Sequence, residues 1–483
     1  MSDGGGGTDG GTDGGTGGGA RRSTGGGGTR RAGRGGAPSD PRAALQPNIS
    51  HTLAGLPARF WVALVATGVA AGLGAMAMMA LLRAVQHAAF GARLGGYSAA
   101  VAAHGDVRRV VVLTVGGAIA GGGWWVLRRR AGGTGGEPTS AVWHKTPDLS
   151  LVRTVVSGSL SEVVVGMGAS LGREAAPQHI GAASGSWLGR RMGLTTEQCV
   201  ILVACGAGAG VGAVYNVPLA GALFAAELYL GSFSLVAVVP ALVTSAVATV
   251  VAWTTLPPHF VYHLARTPFP SASILVFALV AGPVLGLVAA GYVRLIAWAS
   301  DHQPKSWLLL VEPVVAFAAL GLAATEYPLL LGNGRDLAQY ALVGGGVLAT
   351  VAVLAALKPV VSAMCLRSGA SGGLFTPTFA FGAVLGLLMG RLWSMAWPVG
   401  SPGIAALVGA GAMVGAAMEA PVAGLAFTIE LAGTANASIA VLALAVAGAT
   451  IVARRIEPLS IYSARLTKPK APPIAGTPEH PPQ

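Results

Sequence analysis

CGAGAGVGAVYNVPLAGALFAAEL, from Cys205 to Leu228, and GAGAMVGAAMEAPVAGLAFTIEL, from Gly409 to Leu431, are two copies of one pattern. Slid over each other by 203 positions, they set Gly206 on Gly409, Gly208 on Gly411, Gly212 on Gly415, Pro218 on Pro421, Gly221 on Gly424, Phe224 on Phe427 and Glu227 on Glu430. Upstream, GASLGREAAP (Gly168 to Pro177) faces GASGGLFTP (Gly369 to Pro377) at an offset of 201, which pairs Glu174 with Phe375. Both halves thus carry the same two elements in the same order. Duplicated apolar segments broken by Gly and Pro at corresponding positions mark a transporter with its site at the repeat interface.

The composition around these segments calls for lipid. Of 483 residues, 53% are hydrophobic and 10% charged, against about 25% charged in ordinary soluble domains. Glycine, 73 residues in all, would weaken helices in water, but in a membrane it lets backbones approach and chains turn inside protein. An all-α polytopic membrane protein is favoured over a β-barrel, whose strands would alternate polar and apolar residues. The net charge of +12 would suggest a nucleic-acid partner in a soluble protein. Here the cations crowd the ends: Arg21, Arg22, Arg30, Arg31 and Arg34 near the start, Arg454, Arg455, Arg465, Lys468 and Lys470 near the close. The positive-inside rule then places both termini in the cytoplasm. Cys199, Cys205 and Cys365 lie in apolar runs without metal or disulfide spacing and read as packing residues.

Residues 1–57 are Gly-, Thr-, Arg- and Asp-rich and predict a disordered cytoplasmic tail rather than a secretory signal. The transmembrane domain is expected over 58–466, with repeats at about 58–256 and 257–466. A short Pro-rich cytoplasmic tail without a regulatory domain is expected at 467–483. Residues 60–82, between Arg59 and Arg83, are long enough to cross the roughly 30 Å hydrocarbon core. Further simple crossings are expected at 110–127, 233–256, 271–298 and 307–324. In 151–231 and 332–453 glycine recurs, and in the first of these Glu162, Arg173, Glu174 and Glu227 fall inside apolar stretches, so re-entrant half-helices are expected there.

A helix that starts at mid-membrane presents free backbone N–H groups and the positive end of its dipole, which bind an anion without a fixed cation. The Gly-rich turns before Arg173 and Leu374 suit such starts. No acidic ring suggests a cation filter. Enzyme signatures such as HExxH, GxxxxGK[ST] and GxSxG in a suitable context are missing, and no cofactor is called for. His179, His259 and His263 read as packing or interfacial residues.

GREAAPQHIGAASGS from Gly172, NVPLAGALFAAEL from Asn216 and SGGLFTPTF from Ser371 together resemble the CLC family of chloride channels and chloride/proton antiporters. The resemblance covers roughly 60–466. It implies a homodimer in the plasma membrane, one anion path per subunit, two inverted repeats, and chloride held by helix amino-termini. Glu174, after Gly172 and Arg173, takes the place of the gating glutamate, whose carboxylate mimics an anion until it is protonated or displaced. Gly373, Leu374, Phe375 and Thr376 match the anion-binding GxFxP stretch, and Tyr462 matches a late tyrosine whose hydroxyl reaches the central site.

Three departures from the family pattern stand out. Ala175 and Ala176 replace the Gly and Pro after the gating glutamate. The GSGIP element is matched only by GGTGGEP, Gly132 to Pro138, where Thr134 or Gly135 stands at the serine, so the substitute lies within Gly133 to Gly136. The internal proton glutamate, which would follow Glu227, is Leu228, and leucine carries no proton. The chain then reads as a channel or weakly coupled exchanger gated by Glu174, or as an antiporter whose protons travel through water. A secondary transporter for an organic solute is the rival class.

Overall fold

Residues 53–92, 96–130, 136–264, 271–433 and 436–466 are described in the computed structural model. The expectations for residues 1–52 and 467–483, for Thr134 and for Gly133 to Gly135 lie outside them; the last part of the first tail is ordered instead, as a 3-10 turn at Leu53–Gly55 with Leu56 buried behind it. The first half runs α1 (Ala58–Phe90), α2 (Tyr97–Ala102), α3 (Asp106–Arg130), α4 (Pro138–Trp143), α5 (Leu151–Gly166), α6 (Ala175–Arg191), α7 (Thr196–Tyr215), α8 (Pro218–Phe224) with a π-helical turn over Ala225–Tyr229, and α9 (Leu235–Ala252). The second half runs α10 (Ala272–Asp301), α11 (Leu308–Glu326), α12 (Arg335–Leu342), α13 (Leu348–Arg367), α14 (Phe375–Ser394), α15 (Pro402–Met418), α16 (Pro421–Ala432) and α17 (Asn436–Ile456). Nine of the described helices are long and apolar enough to cross a membrane, and the chain is a multi-pass, all-helical membrane protein.

The quoted repeat becomes the same break twice. α7 opens on a capping box in which Thr195 Oγ1 accepts the Gln198 N–H and Gln198 Oε1 accepts the Thr195 N–H. It ends at Asn216, left-handed at φ 57°, ψ 47°; Val217 follows at φ −131°, ψ 67°, and Pro218 starts α8. α15 ends at Glu419, left-handed at φ 50°, ψ 37°; Ala420 follows at φ −132°, ψ 71°, and Pro421 starts α16. One left-handed residue stops each helix, and a proline with its φ already set begins the next.

Small residues let the broken helices pack backbone to backbone. A Cβ on Gly181 would lie 2.1 Å from the Gly206 carbonyl oxygen, and one on Gly206 would lie 2.2 Å from that of Gly181, so α6 and α7 touch at their main chains. Gly382 and Gly409, their repeat counterparts, do the same for α14 and α15, at 2.5 and 2.2 Å.

A second relation ties the halves together. Glu430 accepts the N–H groups of Leu219 and Ala220 at 3.3 and 2.6 Å, at the start of α8. Glu227 accepts those of Val422 and Ala423 at 3.2 and 2.7 Å, at the start of α16. Leu219 corresponds to Val422 and Ala220 to Ala423, so each repeat's glutamate caps the other's half-helix and the two repeats are related by a two-fold exchange. An anionic side chain at a helix start satisfies donors that the helix itself leaves free.

The glycine-rich regions hold longer helices than their broken patterns suggest. α7, α13, α14 and α17 are each long enough to cross a membrane, and α7 is buried along its whole apolar length. Glycine in them serves close packing as often as chain reversal, and pattern alone does not separate the two uses.

Candidate functional site

Glu174 is the residue before α6, and Phe375, its repeat counterpart, opens α14. Gly172 and Gly373 bring these two starts together through a two-way backbone bridge: the Gly172 N–H donates to the Gly373 carbonyl at 2.6 Å and the Gly373 N–H to the Gly172 carbonyl at 2.8 Å. Across this bridge the Glu174 side chain reaches the start of α14. Its Oε1 accepts the Phe375 N–H at 2.8 Å. Its Oε2 accepts the Tyr215 hydroxyl at 2.8 Å and the Thr376 hydroxyl at 3.1 Å. The Tyr215 and Thr376 hydroxyls also lie within bonding distance of each other; each has one proton, so whichever donates to the other is at that moment not donating to Oε2. Glu174 is fully buried. A buried carboxylate needs such donors, because it has left its water behind.

Glycine makes the seat possible. A Cβ on Gly172 would lie 2.1 Å from Glu174 Oε1, and one on Gly373 would lie 1.9 Å away. The N–H groups of Gly172 and Gly373 are spent on each other, so what these residues give the site is space; the backbone donor is Phe375. Its ring packs 4.5 Å from that of Phe427 and 5.6 Å from that of Tyr215, centroid to centroid. Leu374, before it, is buried in the core. The Arg173 guanidinium lies over the Tyr215 ring, 5.0 Å from its centroid.

Below the bridge is a cavity of about 20 Å³ lined by Ala175, Gln178, Ser371, Gly372 and Gly373 on one side and by Glu137, His179, Tyr462 and Arg465 on the other. It has room for a water molecule or one small ion. Tyr462, brought here by the chain after α17, is 6% exposed, and its buried hydroxyl has no partner among the described residues. An orphaned hydroxyl on a polar cavity is what a transient ion or water would satisfy. Leu228 sits in the π-helical turn, 3% exposed and packed in the core.

The structure thus gathers Gly172, Glu174, Gly373, Phe375 and Thr376 at one bridge, with Tyr462 on the cavity that Gly373 lines and with Arg173 and Leu374 adjoining. Three neighbours of these residues have no site reading in the sequence: Tyr215 is not singled out, His179 reads as packing or interfacial, and Glu137 enters only within GGTGGEP. Tyr215 ends an α7 made of Gly, Ala and Val over Gly206–Val214, and its lone hydroxyl was the available signal. Glu137 and His179 lie 42 positions apart and meet only through the fold, with Glu137 Oε1 3.8 Å from His179 Nε2.

Comparison with known proteins gives concordant results. The family model described as voltage gated chloride channel matches residues 116–454. A ClcB-like chloride channel protein of Ralstonia nicotianae is 32% identical over 299 residues, covering 59% of this chain and 68% of that protein. The voltage-gated ClC-type chloride channel ClcB of Salmonella typhi is 28% identical over 326 residues, covering 64% and 75%. Among solved structures, a slow cyanobacterial Cl−/H+ antiporter superposes with a TM-score of 0.74 at 21% identity, over 84% of this chain and 97% of that one. A CLC-type fluoride/proton antiporter superposes with a TM-score of 0.70 at 21% identity, over 86% and 100%. With a family match over more than half of its length and the same two-repeat helical architecture, the chain belongs to the voltage-gated chloride channel family, the CLC proteins.

Proposed function

We propose that the protein carries chloride, or an anion of similar size, across the membrane, and that the Glu174 carboxylate gates the path. The observation that carries this reading is the set of three donors on Glu174: the Phe375 N–H, the Tyr215 hydroxyl and the Thr376 hydroxyl. They form a seat at the start of α14 in which the carboxylate stands where an anion would. Protonation removes the charge that holds Glu174 there; the side chain withdraws and an anion takes the donors. Further in, the anion rests in the cavity against Tyr462. The size of that cavity, about 20 Å³, favours a small ion over an organic solute.

The relatives named as chloride channels and the antiporters of the same fold support this class of cargo. The transmembrane unit spans 58–466, with repeats at about 58–256 and 257–466. The protein works as a homodimer in the plasma membrane with both termini in the cytoplasm, as the resemblance and the arginine distribution imply. Leu228 removes the usual inner proton carrier.

Chloride efflux from liposomes containing the purified protein tests the gate. Wild-type flux is expected to rise as pH falls, and Glu174→Gln, which cannot ionise, is expected to hold a high flux at every pH. A variant that keeps the wild-type pH dependence would show that Glu174 is not the gate.

A further inference from the structure

The cavity below the Gly172–Gly373 bridge holds more chemistry than anion binding uses. Glu137 Oε1 and His179 Nε2 face each other across 3.8 Å, and their side chains retain 36% and 24% exposure, so water reaches both. The same cavity runs to Gly373, whose Cα abuts the Glu174 carboxylate. The groups that act on the pair are Arg465, Tyr462 and Tyr229; Glu174 acts on Tyr462 in turn. Glu137 follows the arginine-rich end of α3, and Arg465 follows that of α17, so the cavity opens on the cytoplasmic side by the positive-inside rule.

We propose that the Glu137–His179 pair is the inner proton acceptor of this protein, in place of the carboxylate that Leu228 lacks. This rests on the reading of Glu174 as the gate. A proton from the cytoplasm adds to His179 Nε2, turning neutral imidazole into imidazolium, which the Glu137 carboxylate stabilises. Water in the cavity passes the proton on to a Glu174 carboxylate oxygen. His179 returns to neutral, and Glu174 becomes a neutral acid, leaves its three donors and releases the proton on the opposite side. Burial and the Arg465 charge hold the His179 imidazole below its ordinary value while Glu137 raises it, so an imidazolium formed here gives its proton up readily to the cavity water. His179 shares this cavity with the anion's resting place against Tyr462, and its part in proton movement is exercised through the protonation of Glu174.

The test measures proton and chloride movement together in liposomes, for the wild type, His179→Gln and Glu137→Gln. The wild type is expected to drive protons against their gradient when chloride runs down its own. Each variant is expected to lower the number of protons moved per chloride at least tenfold, with chloride flux still measurable. The dependence of flux on inner pH should flatten in His179→Gln. Unchanged proton-to-chloride ratios in both variants would overturn the inference, as would wild-type chloride flux without uphill proton movement; in either case the gating role of Glu174 would stand. Equal loss of both fluxes in correctly folded variants would assign the pair to the anion path and also overturn it. No chloride flux in the wild type would instead overturn the anion-transport reading itself.

Discussion

The carboxylate of Glu174 accepts the backbone N–H of Phe375, its own counterpart in the other repeat, at 2.8 Å. The first repeat supplies the carboxylate and one donor, Tyr215, and the second supplies Phe375 and Thr376. The two helix starts are equivalent by descent and opposite in role. Four predictions rest on this seat and on the fold that holds it.

Tyr215 donates to the ionised form of Glu174 and offers nothing comparable to the protonated form. Hydrogen bonds to charged groups contribute about 1.5–3 kcal/mol, and one pH unit corresponds to about 1.4 kcal/mol. Tyr215→Phe removes this preference, so the carboxylate takes up its proton more readily and the pH of half-maximal chloride flux moves up by about one to two units. A pH series on liposomes measures the shift. A shift downward would mean that Tyr215 serves the neutral acid instead.

Gly373→Ala puts a methyl group 1.9 Å from the position of Glu174 Oε1, in the seat itself. It excludes the anion as well as the carboxylate. Flux should fall to background in Gly373→Ala and should not return when Glu174→Ala is added. Recovery in the double variant would place the anion route elsewhere.

Glu227 and Glu430 each accept two N–H groups at the start of a half-helix in the other repeat. Loss of an N-cap costs about 0.5–2 kcal/mol. Glu227→Ala and Glu430→Ala should each destabilise the protein by about 1 kcal/mol, additively because they share no partner, as read by thermal or denaturant unfolding in detergent. The proton-to-chloride ratio should not change in either. A changed ratio in Glu227→Ala alone would give that residue a transport role.

Gly206→Val forces a branched side chain into the Gly181 main chain, where a Cβ alone would lie 2.2 Å from a carbonyl oxygen. Overpacking of this kind costs about 1–3 kcal/mol or more, and separation of α6 from α7 would shift the start of α6 and with it Glu174. The variant should be recovered in lower yield and unfold at lower temperature. Wild-type behaviour would mean that the α6–α7 crossing tolerates a wider spacing.

Much of this architecture was legible in the chain. The 203-residue offset led to two repeats, and the glycine turns before Arg173 and Leu374 led to two helix starts that meet. The family resemblance picked out Glu174, Phe375, Thr376 and Tyr462; the structure puts the first three in direct contact and sets Tyr462 on the cavity that Gly373 lines. What was hidden depends on distance in the chain. Glu137 and His179 meet because α4 and α6 converge, and no local pattern records that. Glu227 and Glu430 were seen as equivalent, but that each caps the other's half-helix follows only from the two-fold relation. The length of α7 was masked because glycine for close packing looks in sequence like glycine for a turn. Tyr215 was passed over because an aromatic residue at the end of an apolar helix is ordinarily core.

The exchanged glutamates also bear on how the protein is made. As the chain leaves the ribosome, Leu219 and Ala220 enter the bilayer about 210 residues before Glu430 is synthesised, so the donors at the start of α8 must wait on water or lipid head groups. The first repeat is then a nascent half that cannot close by itself. Completion of the second supplies Glu430 to the first and brings the Val422 and Ala423 N–H groups to the waiting Glu227, and biogenesis of this protein is in that sense an intramolecular dimerisation.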